Sequence, residues 1–359
     1  MDIKVTLNTE KKAKPQDESK LGFGKIFTDH MFIMEYEAGK GWMNPRIEPY
    51  HALALDPAST VLHYGQEIFE GLKAYRAEDD RILMFRAKDN CRRLNRSADR
   101  MCMPEIDVDF NFKAMQMLVD IERDWVPHSE GTSLYLRPTM IANDVGLGVH
   151  AAKHYVYYVI CAPSGAYYPQ GLAPIKIRVE DRYIRAVEGG TGEAKTGGNY
   201  AASIKAGDEA EAQGYAQVLW LDGAERKYIE EVGAMNMMFV IDDTLVTAAL
   251  HGSILPGITR DSVLTLAREM GLKVEERKLS VDELMDAART GRLKEAFGTG
   301  TAAVVSPVGW LTYKDETVQV QDGGIGELTM KFYNTLTSIQ WGKSEDTHDW
   351  VSVVPEFNK

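Results

Sequence analysis

Short apolar runs separated by turn residues dominate the first part of the chain. Over residues 27–61, segments such as "EAGKGWMNP" and "ALDPAST" carry the Gly, Pro and Asn residues that commonly connect strands. Together with "RILMFRA" they predict an antiparallel sheet. Apolar residues then recur at helical spacing in "KDNCRRLNRSADRMCMP" and "NFKAMQMLVDIERDW", which predicts two helices. The runs "SLYLRPTMIAND" and "HYVYYVICAP" predict two central strands.

The second half of the chain has the same mixture of strands and helices. "IKIRVE" and "AQVLWLDG" predict strands on either side of a helix over "YAASIKAGDEAEAQ". "YIEEVGAMNMMFVIDDTLVTAAL" predicts a hairpin that turns at Asp242-Asp243. "TRDSVLTLAREMG" predicts a helix ending at Gly271, and Ser280 with Glu283 fits a capping box before the next helix. "EAFGTGTAAVVSPVGWL" predicts a strand, a tight turn and a further element.

The length of the chain predicts two domains, because 359 residues exceed one compact core of ordinary size. We expect a mobile N-terminal arm over residues 1–20, which are polar and charged. A small α+β domain is predicted over residues 21–164, an interdomain loop over 165–174 and a larger domain over 175–359. The loop contains much of "PSGAYYPQGLAP", whose Pro, Gly and Tyr content suits a connection between domains.

Composition excludes several classes of protein. A net charge of -12 leaves no excess of Lys and Arg to neutralise phosphates, which argues against a nucleic acid partner. No apolar run approaches the length of about eighteen residues that a membrane span needs, and the N-terminal residues lack a signal-peptide core. We therefore expect no membrane association and a cytoplasmic location. Three irregularly spaced cysteines predict neither a disulfide framework nor a metal site.

The stretch "GGTGEAKTGGNY", residues 189–200, surrounds one lysine with five glycines. It nearly matches a nucleotide phosphate loop, but Ala194 stands where the second glycine should be, before Lys195. Gly197 and Gly198 would each cost roughly 1 kcal/mol, relative to alanine, in the helix that such a loop requires. The helical pattern begins only at Tyr200. The stretch therefore favours another role for Lys195.

Two further glycine-rich turns each carry a threonine. "LPGITR" contains Thr259 and "FGTGTAA" contains Thr301, and both turns can offer backbone N–H groups and a hydroxyl to one phosphate. A phosphate-bearing cofactor combined with a covalent lysine indicates pyridoxal 5′-phosphate.

Seven segments, in this order along the chain, resemble those of branched-chain amino acid aminotransferases, pyridoxal phosphate enzymes of fold type IV. They are "HYGQEIFEGLKAYR", "NCRRLNRSA", "LYLRPT", "AKTGGNYAAS", "EEVGAMN", "LPGITR" and "GTGTAAVVSPV". The resemblance implies a small α+β N-terminal domain and a larger C-terminal domain with a barrel-like mixed sheet, with the cofactor between them. It also implies transfer of the amino group between L-leucine, L-isoleucine or L-valine and 2-oxoglutarate through a Schiff base on Lys195.

The same resemblance implies roles for individual residues around the cofactor. Lys195 would bind the cofactor covalently and then move a proton. Glu231 would keep the pyridine nitrogen protonated, while Tyr200 would bind the ring hydroxyl. The phosphate would be bound by Arg93, Ile258, Thr259 and Thr301.

The substrate site is implied in the same way. Tyr135, Thr301 and Ala302 would bind the α-carboxylate, and an arginine beside an apolar pocket, Arg137, would allow the site to accept glutamate as well. The pocket positions are Phe23, Tyr64, Phe69, Val149 and Tyr167. Tyr64 and the loop of Val149 would reach the site of a second subunit, which implies a homodimer.

Other functions are compatible with parts of the sequence. His150 and His154 have the i, i+4 spacing of a zinc helix, but no glutamate follows His150 as that motif requires. Within fold type IV, a D-amino acid aminotransferase and an aminodeoxychorismate lyase are alternatives that the "LYLRPT" segment disfavours. A noncatalytic phosphate-binding module would leave Lys195 and Glu231 unexplained.

Overall fold

The computed structural model describes residues 1–167 and 171–357. Residues 168–170 of the predicted interdomain loop and residues 358–359 of the predicted large domain lie outside the described part. The chain forms two compact units. The first comprises Met1–Pro169, Ala194–Gly197 and Ser338–Lys359, and the second comprises Gln170–Glu193 and Gly198–Thr337. The four residues around Lys195 thus belong to the first unit, whereas the chain on either side belongs to the second.

The strands and helices of the described residues are numbered in chain order. The strands are β1 Lys4–Val5, β2 His30–Glu37, β3 Gly41–Pro49, β4 Glu67–Phe69, β5 Leu72–Arg76, β6 Ile82–Phe85, β7 Ser133–Ala142, β8 His154–Ser164, β9 Ile175–Glu180, β10 Gln217–Leu221, β11 Ile229–Val232, β12 Met235–Ile241, β13 Thr244–Thr247, β14 Lys273–Glu276, β15 Leu293–Gly300, β16 Val304–Tyr313, β17 Glu316–Gln319 and β18 Val351–Val353. The helices are α1 Thr60–Tyr64, α2 Ala87–Arg100, α3 Val108–Ile121, α4 Gly197–Ala201, α5 Ile204–Ala212, α6 Ile258–Glu269, α7 Val281–Arg289 and α8 Glu327–Gln340. Short 3-10 helices span Glu18–Lys20 and Arg123–Trp125.

The first unit is built on one sheet with the strand order β1-β3-β2-β8-β7-β5-β6-β18, and β4 also pairs with β7. Side chains alternate between the two faces of a strand. In β7, Leu134 and Leu136 therefore join the core formed with α2 and α3, as do Leu94 and Leu118 of those helices. The intervening residues of β7 lie on the opposite face, which carries the candidate site.

Both predicted helices of the first unit form, although α2 ends at Arg100 and α3 at Ile121, before the ends of the predicted segments. The side chain of Asp107 accepts a hydrogen bond from the backbone N–H of Phe110 at 2.8 Å and caps α3. The two predicted helices are confirmed, as are the two central strands β7 and β8. Within the segment predicted as a mobile arm, β1 pairs with β3 and Lys12 Nζ donates to the backbone oxygen of Thr28 at 2.7 Å.

The second unit contains a closed six-strand barrel, formed by β9, β10, β11, β12, β15 and β16. Closure results because β12 pairs with both β11 and β15. In the register of these strands, Asn236 lies between Glu231 of β11 and Thr299 of β15. The small N-terminal sheet domain and the barrel agree with the predicted fold class.

Local predictions in the second unit have different outcomes. The hairpin turn at Asp242-Asp243 is confirmed between β12 and β13. The hydroxyl of Ser280 accepts a hydrogen bond from the backbone N–H of Glu283 at 3.1 Å, as the capping box predicts. A capping box also expects the Glu283 carboxylate to accept the backbone N–H of Ser280. Here Glu283 Oε1 instead accepts a hydrogen bond from Arg277 Nη2 at 2.6 Å.

Two local predictions are wrong. The helix predicted to begin at Tyr200 begins at Gly197, where α4 starts. The continuous helix predicted over residues 200–213 is divided into α4 and α5. At the division, the hydroxyl of Ser203 donates to the backbone oxygen of Tyr200 at 2.7 Å, a local bond that competes with regular helix formation.

The C-terminal residues of the described chain belong to the first sheet. Strand β18 pairs with β6, and the backbone N–H of Val354 donates to the backbone oxygen of Ile82 at 2.8 Å. The domain prediction placed this stretch in the large domain, whereas Ser338–Lys359 groups with the first unit. The domain boundaries stay a prediction. None of the helices in the described residues is both long enough and apolar enough to cross a membrane.

Candidate active site

The segment that carries Lys195 is attached to the first unit by hydrogen bonds on both sides of the lysine. The backbone N–H of Phe69 donates to the backbone oxygen of Lys195 at 3.0 Å. The hydroxyl of Thr196 donates to the backbone oxygen of Glu67 at 2.6 Å. The backbone N–H of Lys195 donates to the hydroxyl of Ser97 on α2 at 2.9 Å. The lysine side chain therefore starts from a backbone that β4 and α2 hold in place.

Gly197 makes the closest approach in this segment. Its backbone N–H donates to a carboxylate oxygen of Glu67. A Cβ atom at this position would lie 2.2 Å from the same oxygen, well inside van der Waals contact. The glycine at this position is thus explained by the approach of Glu67, which no local sequence pattern indicates.

Several predicted substrate residues lie together on the side of the first sheet opposite its helix-covered core. The ammonium nitrogen of Lys195 lies 4.9 Å from the centre of the Phe69 ring, and the Arg137 guanidinium lies 4.8 Å from it. Arg137 Nη2 also donates to the hydroxyl of Tyr135 at 3.1 Å. The ring of Phe23 meets Tyr135 edge-on at 4.8 Å. The structure therefore gathers a lysine, an arginine, a phenol and two apolar rings.

Arg93, predicted to bind the cofactor phosphate, forms a buried ion pair with Glu70. Its Nε donates to Oε1 at 2.7 Å and its Nη2 donates to Oε2 at 2.9 Å. The side chains of Arg93 and Glu70 are 4 % and 1 % exposed. Asn90 Nδ2 and the backbone N–H of Gly71 donate to Glu70 Oε2 as well, at 2.8 and 3.1 Å.

The protonation of Glu70 reflects these contacts. Burial alone would raise the pKa of its carboxyl group, but the positive charges of Arg93 and Lys195 and the hydrogen bond from Asn90 hold that pKa below its ordinary value. Glu70 is therefore an anion that supports two cations of the candidate site.

The remaining predicted substrate residues of the first unit lie in exposed positions. Val149 is 80 % exposed and Tyr64 and Tyr167 are 43 % and 47 % exposed. The hydroxyl of Tyr64 donates to the backbone oxygen of Leu147, so it is associated with the loop of Val149. These side chains thus lie at the surface of the first unit.

In the second unit, Glu231 lies almost fully buried on β11 and pairs with Arg185. The distance from Arg185 Nε to Glu231 Oε2 is 2.8 Å. Glu231 Oε1 accepts hydrogen bonds from the backbone N–H of Leu255 at 3.0 Å and from Asn236 Nδ2 at 3.2 Å. Arg185 Nη1 donates to the backbone oxygen of Ser253 at 3.0 Å. These contacts fix the orientation of the carboxylate.

The two predicted phosphate turns lie beside this carboxylate. Asn236 also donates to the backbone oxygen of Leu255 at 2.9 Å, just before the turn that leads to Ile258 and Thr259 at the start of α6. A Cβ atom at Gly257 would lie 1.9 Å from Asn236 Oδ1, so this turn requires glycine.

Thr299 pairs with Asn236 in the register of the barrel and leads to the second turn, which contains Thr301 and Ala302. Its buried hydroxyl has no hydrogen-bond partner within the described residues. Tyr200 lies on α4, partly buried. The structure thus brings Glu231 near both turns at one end of the barrel.

Sequence reasoning missed five residues that support this site. Glu67, Glu70 and Ser97 hold residues of the first unit. Arg185 and Asn236 hold Glu231. One signal was available for Glu70, because a charged residue inside the apolar run "IFEGLKAY" must be paired if it is buried. The other four carry no comparable signal.

The histidines with zinc-helix spacing have a different explanation. His154 Nδ1 lies 2.9 Å from Asp144 Oδ1, and His150 Nε2 lies 3.6 Å from Asp144 Oδ2. His154 begins strand β8 and His150 precedes it, so neither lies on a helix. A zinc-helix arrangement is therefore wrong for this pair.

Comparison with known proteins identifies the family. The model of the amino-transferase class IV family matches residues 67–309. "Branched-chain-amino-acid aminotransferase 2" of Bacillus subtilis (strain 168) is 53% identical over 352 residues, which cover 98% of this chain and 97% of that protein.

Solved structures agree with this relationship. The branched-chain amino acid aminotransferase of Escherichia coli has a TM-score of 0.75 at 28% identity, covering 91% of this chain and 99% of that one. The branched-chain amino acid aminotransferase of T.th., solved with pyridoxamine 5′-phosphate, has a TM-score of 0.74 at 26% identity, covering 90% of this chain and 98% of that one. The chain therefore belongs to the class IV aminotransferases and, within them, to the branched-chain amino acid aminotransferases.

Proposed function

We propose that this protein transfers the amino group between L-leucine, L-isoleucine or L-valine and 2-oxoglutarate, with pyridoxal 5′-phosphate bound to Lys195. One observation carries the assignment of the site: Lys195 and Arg137 both lie against the ring of Phe69, with Tyr135 bonded to Arg137. The amine of Lys195 thus lies beside Arg137 and Tyr135, a pair that can bind a carboxylate. The apolar ring of Phe69 contacts both the lysine and the arginine.

The residues fit pyridoxal phosphate. The cofactor supplies an aldehyde that forms a Schiff base with an amine and a protonated ring that withdraws electrons from the substrate Cα. A buried carboxylate, Glu231, suits the protonated ring. Backbone N–H groups at the start of α6, together with the hydroxyls of Thr259 and Thr301, suit the phosphate. The buried hydroxyl of Thr299, which lacks a partner in the described part of the chain, supports a polar group at this end of the barrel.

Lys195 has two roles in this proposal. Its amine would hold the cofactor covalently at rest, and the same amine, once released by the incoming substrate, would take up and deliver the proton that leaves the substrate Cα. Both roles need a fixed lysine backbone, which the bonds to Phe69 and Ser97 provide.

Glu231 acts by retaining its charge in a buried position. Arg185 and the backbone N–H of Leu255 stabilise the carboxylate, so it can accept a hydrogen bond from a protonated ring nitrogen. Arg93 remains the proposed phosphate ligand. Its pairing with Glu70 is compatible with that role, because a guanidinium has donors for more than one anion.

The substrate is held by residues of different character. Tyr135 and the backbone of Thr301 and Ala302 would bind the α-carboxylate, while Phe23 and Phe69 would contact an aliphatic side chain. Arg137 would bind the distal carboxylate of glutamate or 2-oxoglutarate. Tyr64, Val149 and Tyr167 complete the proposed pocket.

We also propose that the protein is a homodimer. Val145, Leu147 and Val149 form an apolar loop in the first unit, 66 %, 68 % and 80 % exposed. A second copy of this chain would cover the loop, as would be required for Tyr64 and Val149 to reach the partner's site. Sedimentation of the holoenzyme tests this, and a monomer would contradict it. The cytoplasmic location predicted from the sequence stays a prediction.

The function is tested by half-reactions of the purified holoenzyme. L-Leucine, L-isoleucine, L-valine and L-glutamate should each convert the bound cofactor to its amine form, followed by the change in its visible absorbance. D-Alanine should not. A Lys195→Ala variant should lose turnover, and borohydride should no longer attach the cofactor covalently to the protein. Rapid conversion by D-alanine without conversion by L-leucine would favour the D-amino acid alternative.

A further inference from the structure

Glu67 is a carboxylate of the first unit that the proposed function does not use. It begins β4 and is partly buried. One of its carboxylate oxygens accepts a hydrogen bond from the backbone N–H of Gly197, two residues after Lys195. Its backbone oxygen accepts the hydroxyl of Thr196 at 2.6 Å. The side chain therefore lies against the segment that carries the reactive lysine.

The sheet places Glu67 on the same face as the substrate residues. Alternation along β4 puts Glu67 with Phe69, because Ile68 between them belongs to the core on the other face. In β7, Arg137 shares this face and lies 4.8 Å from the Phe69 ring. Glu67 and Arg137 thus lie on the same face of the sheet as the Phe69 ring.

The surroundings of Glu67 shift its pKa in opposite directions. Burial raises the pKa of Glu67 above its ordinary value, and the hydrogen bond from Gly197 and the charge of Arg137 offset only part of that rise. Other ionisable groups approach this face, namely Lys195 against Phe69, Tyr135 with its hydroxyl bonded to Arg137, and Tyr158 on β8. Burial also raises the pKa of the Tyr158 phenol, so it stays neutral near neutral pH.

Arg137 faces two different demands in the proposed reaction. An aliphatic substrate side chain brings no negative charge, which leaves a guanidinium facing an apolar group. A dicarboxylate brings a second anion to the same guanidinium. The Nε of Arg137 is buried and lacks a hydrogen-bond partner in the described part of the protein. The charge of Arg137 acts on the Glu67 carboxyl group, whose pKa it lowers.

We propose that Glu67 is a selectivity-determining residue, which balances Arg137 as an anion when the substrate is aliphatic and takes up a proton from solvent when a dicarboxylate binds. The inference rests on the proposed function, in which Arg137 receives the distal carboxylate. Two anions near one guanidinium repel each other, and protonation of Glu67 removes this repulsion. Binding of 2-oxoglutarate is therefore coupled to proton uptake, whereas binding of 4-methyl-2-oxopentanoate, the oxo acid of leucine, is not.

The test is the pH dependence of a selectivity ratio. For the holoenzyme, kcat/KM is measured with 2-oxoglutarate and with 4-methyl-2-oxopentanoate, each with the same amino donor, from about pH 5, just above the ordinary pKa of a glutamate, to about pH 9. Titrations common to both reactions cancel in the ratio. We expect the ratio to fall about threefold to tenfold as pH rises, because ionised Glu67 repels the dicarboxylate. A ratio that does not change with pH overturns the proposal without affecting the proposed function.

Glu67→Gln removes the charge and keeps an oxygen that can accept the Gly197 N–H. In this variant the ratio should be independent of pH and should exceed the wild-type ratio at about pH 9 by about threefold to tenfold. Glu130→Gln, at a surface glutamate whose side chain is 88 % exposed, is the matched control and should retain the wild-type profile. An unchanged pH profile in Glu67→Gln assigns the titration to another group and overturns the proposal. If the wild type turns over neither oxo acid, the proposed function is refuted, and the inference with it.

Discussion

Glu70 and Arg93 form a two-bonded ion pair inside the first unit, with Nε–Oε1 and Nη2–Oε2 distances of 2.7 and 2.9 Å. Their planar groups match in geometry, and both side chains are almost completely buried. Such a pair contributes little net stability compared with apolar residues, but the loss of one partner leaves a buried charge without compensation. The pair is therefore best understood as a device that fixes the direction of Arg93.

Replacement of Glu70 should weaken both the fold and the cofactor site. In Glu70→Gln, Arg93 loses its counter-charge but keeps one acceptor, so we expect the free energy of unfolding of the apoenzyme to fall by about 2–4 kcal/mol. The Kd for pyridoxal phosphate should rise at least about tenfold, because Arg93 is no longer held. Urea denaturation and cofactor titration measure the two effects. Glu130→Gln should change neither, and a Kd like that of the wild type would contradict a positioning role.

The contribution of Glu70 should also depend on pH. Its pKa in the folded protein lies below the ordinary value of 4.5, so its stabilisation is present above that value and is lost as pH falls through the folded-state pKa. The difference in free energy of unfolding between wild type and Glu70→Gln should thus be constant from about pH 7 to about pH 5 and shrink below about pH 4.5. Urea denaturation at several pH values tests this, and a difference that grows in acid would have the wrong sign.

Arg185 should be required for the charge of Glu231. Arg185→Met leaves the Glu231 carboxylate buried without its cation, so we expect a loss of about 3–5 kcal/mol in the free energy of unfolding and a slower leucine half-reaction. Adding Glu231→Gln removes the uncompensated charge and should restore at least about 2 kcal/mol of stability. Activity should stay low in the double variant, because neither side chain then stabilises a protonated ring nitrogen. Recovery of activity in the double variant would contradict the proposed role of Glu231 and, with it, the need for Arg185 to hold its charge.

Local sequence patterns predicted the strands and helices that carry the site much better than the residues that hold its side chains in place. Strand β7 and helix α2 follow from periodicity, since apolar residues recur every second position in one and along one side of the other. The support of Lys195 depends on Ser97 and Glu67, which lie 98 and 128 residues earlier in the chain than the lysine. Hydrogen bonds over such separations leave no periodic signal. They become visible only when the sheet has brought the strands together.

The start of α4 illustrates the same limit. Helix propensity placed the beginning of this helix after the two glycines, because glycine is unfavourable inside a helix. In the structure, Glu67 accepts the backbone N–H of Gly197, so a group from a distant strand satisfies one of the donors at the helix start. A tertiary contact thus overrides the local preference of the sequence.

The two glycines after Thr196 should respond very differently to a methyl group. At Gly197, a Cβ atom would lie 2.2 Å from Glu67 Oε1, so Gly197→Ala must displace Glu67 or the backbone next to Lys195. At Gly198, a Cβ atom would meet nothing within 4 Å, which makes Gly198→Ala a matched control.

We expect Gly197→Ala to lower kcat at least about tenfold, since a small misplacement of a catalytic group is costly. Gly198→Ala should keep the wild-type kcat and gain about 0.4–1 kcal/mol in stability, because alanine has less conformational entropy to lose on folding. Steady-state kinetics and urea denaturation of both variants provide the comparison. Equal kcat values in the two variants would mean that the approach of Glu67 to Gly197 does not position the lysine.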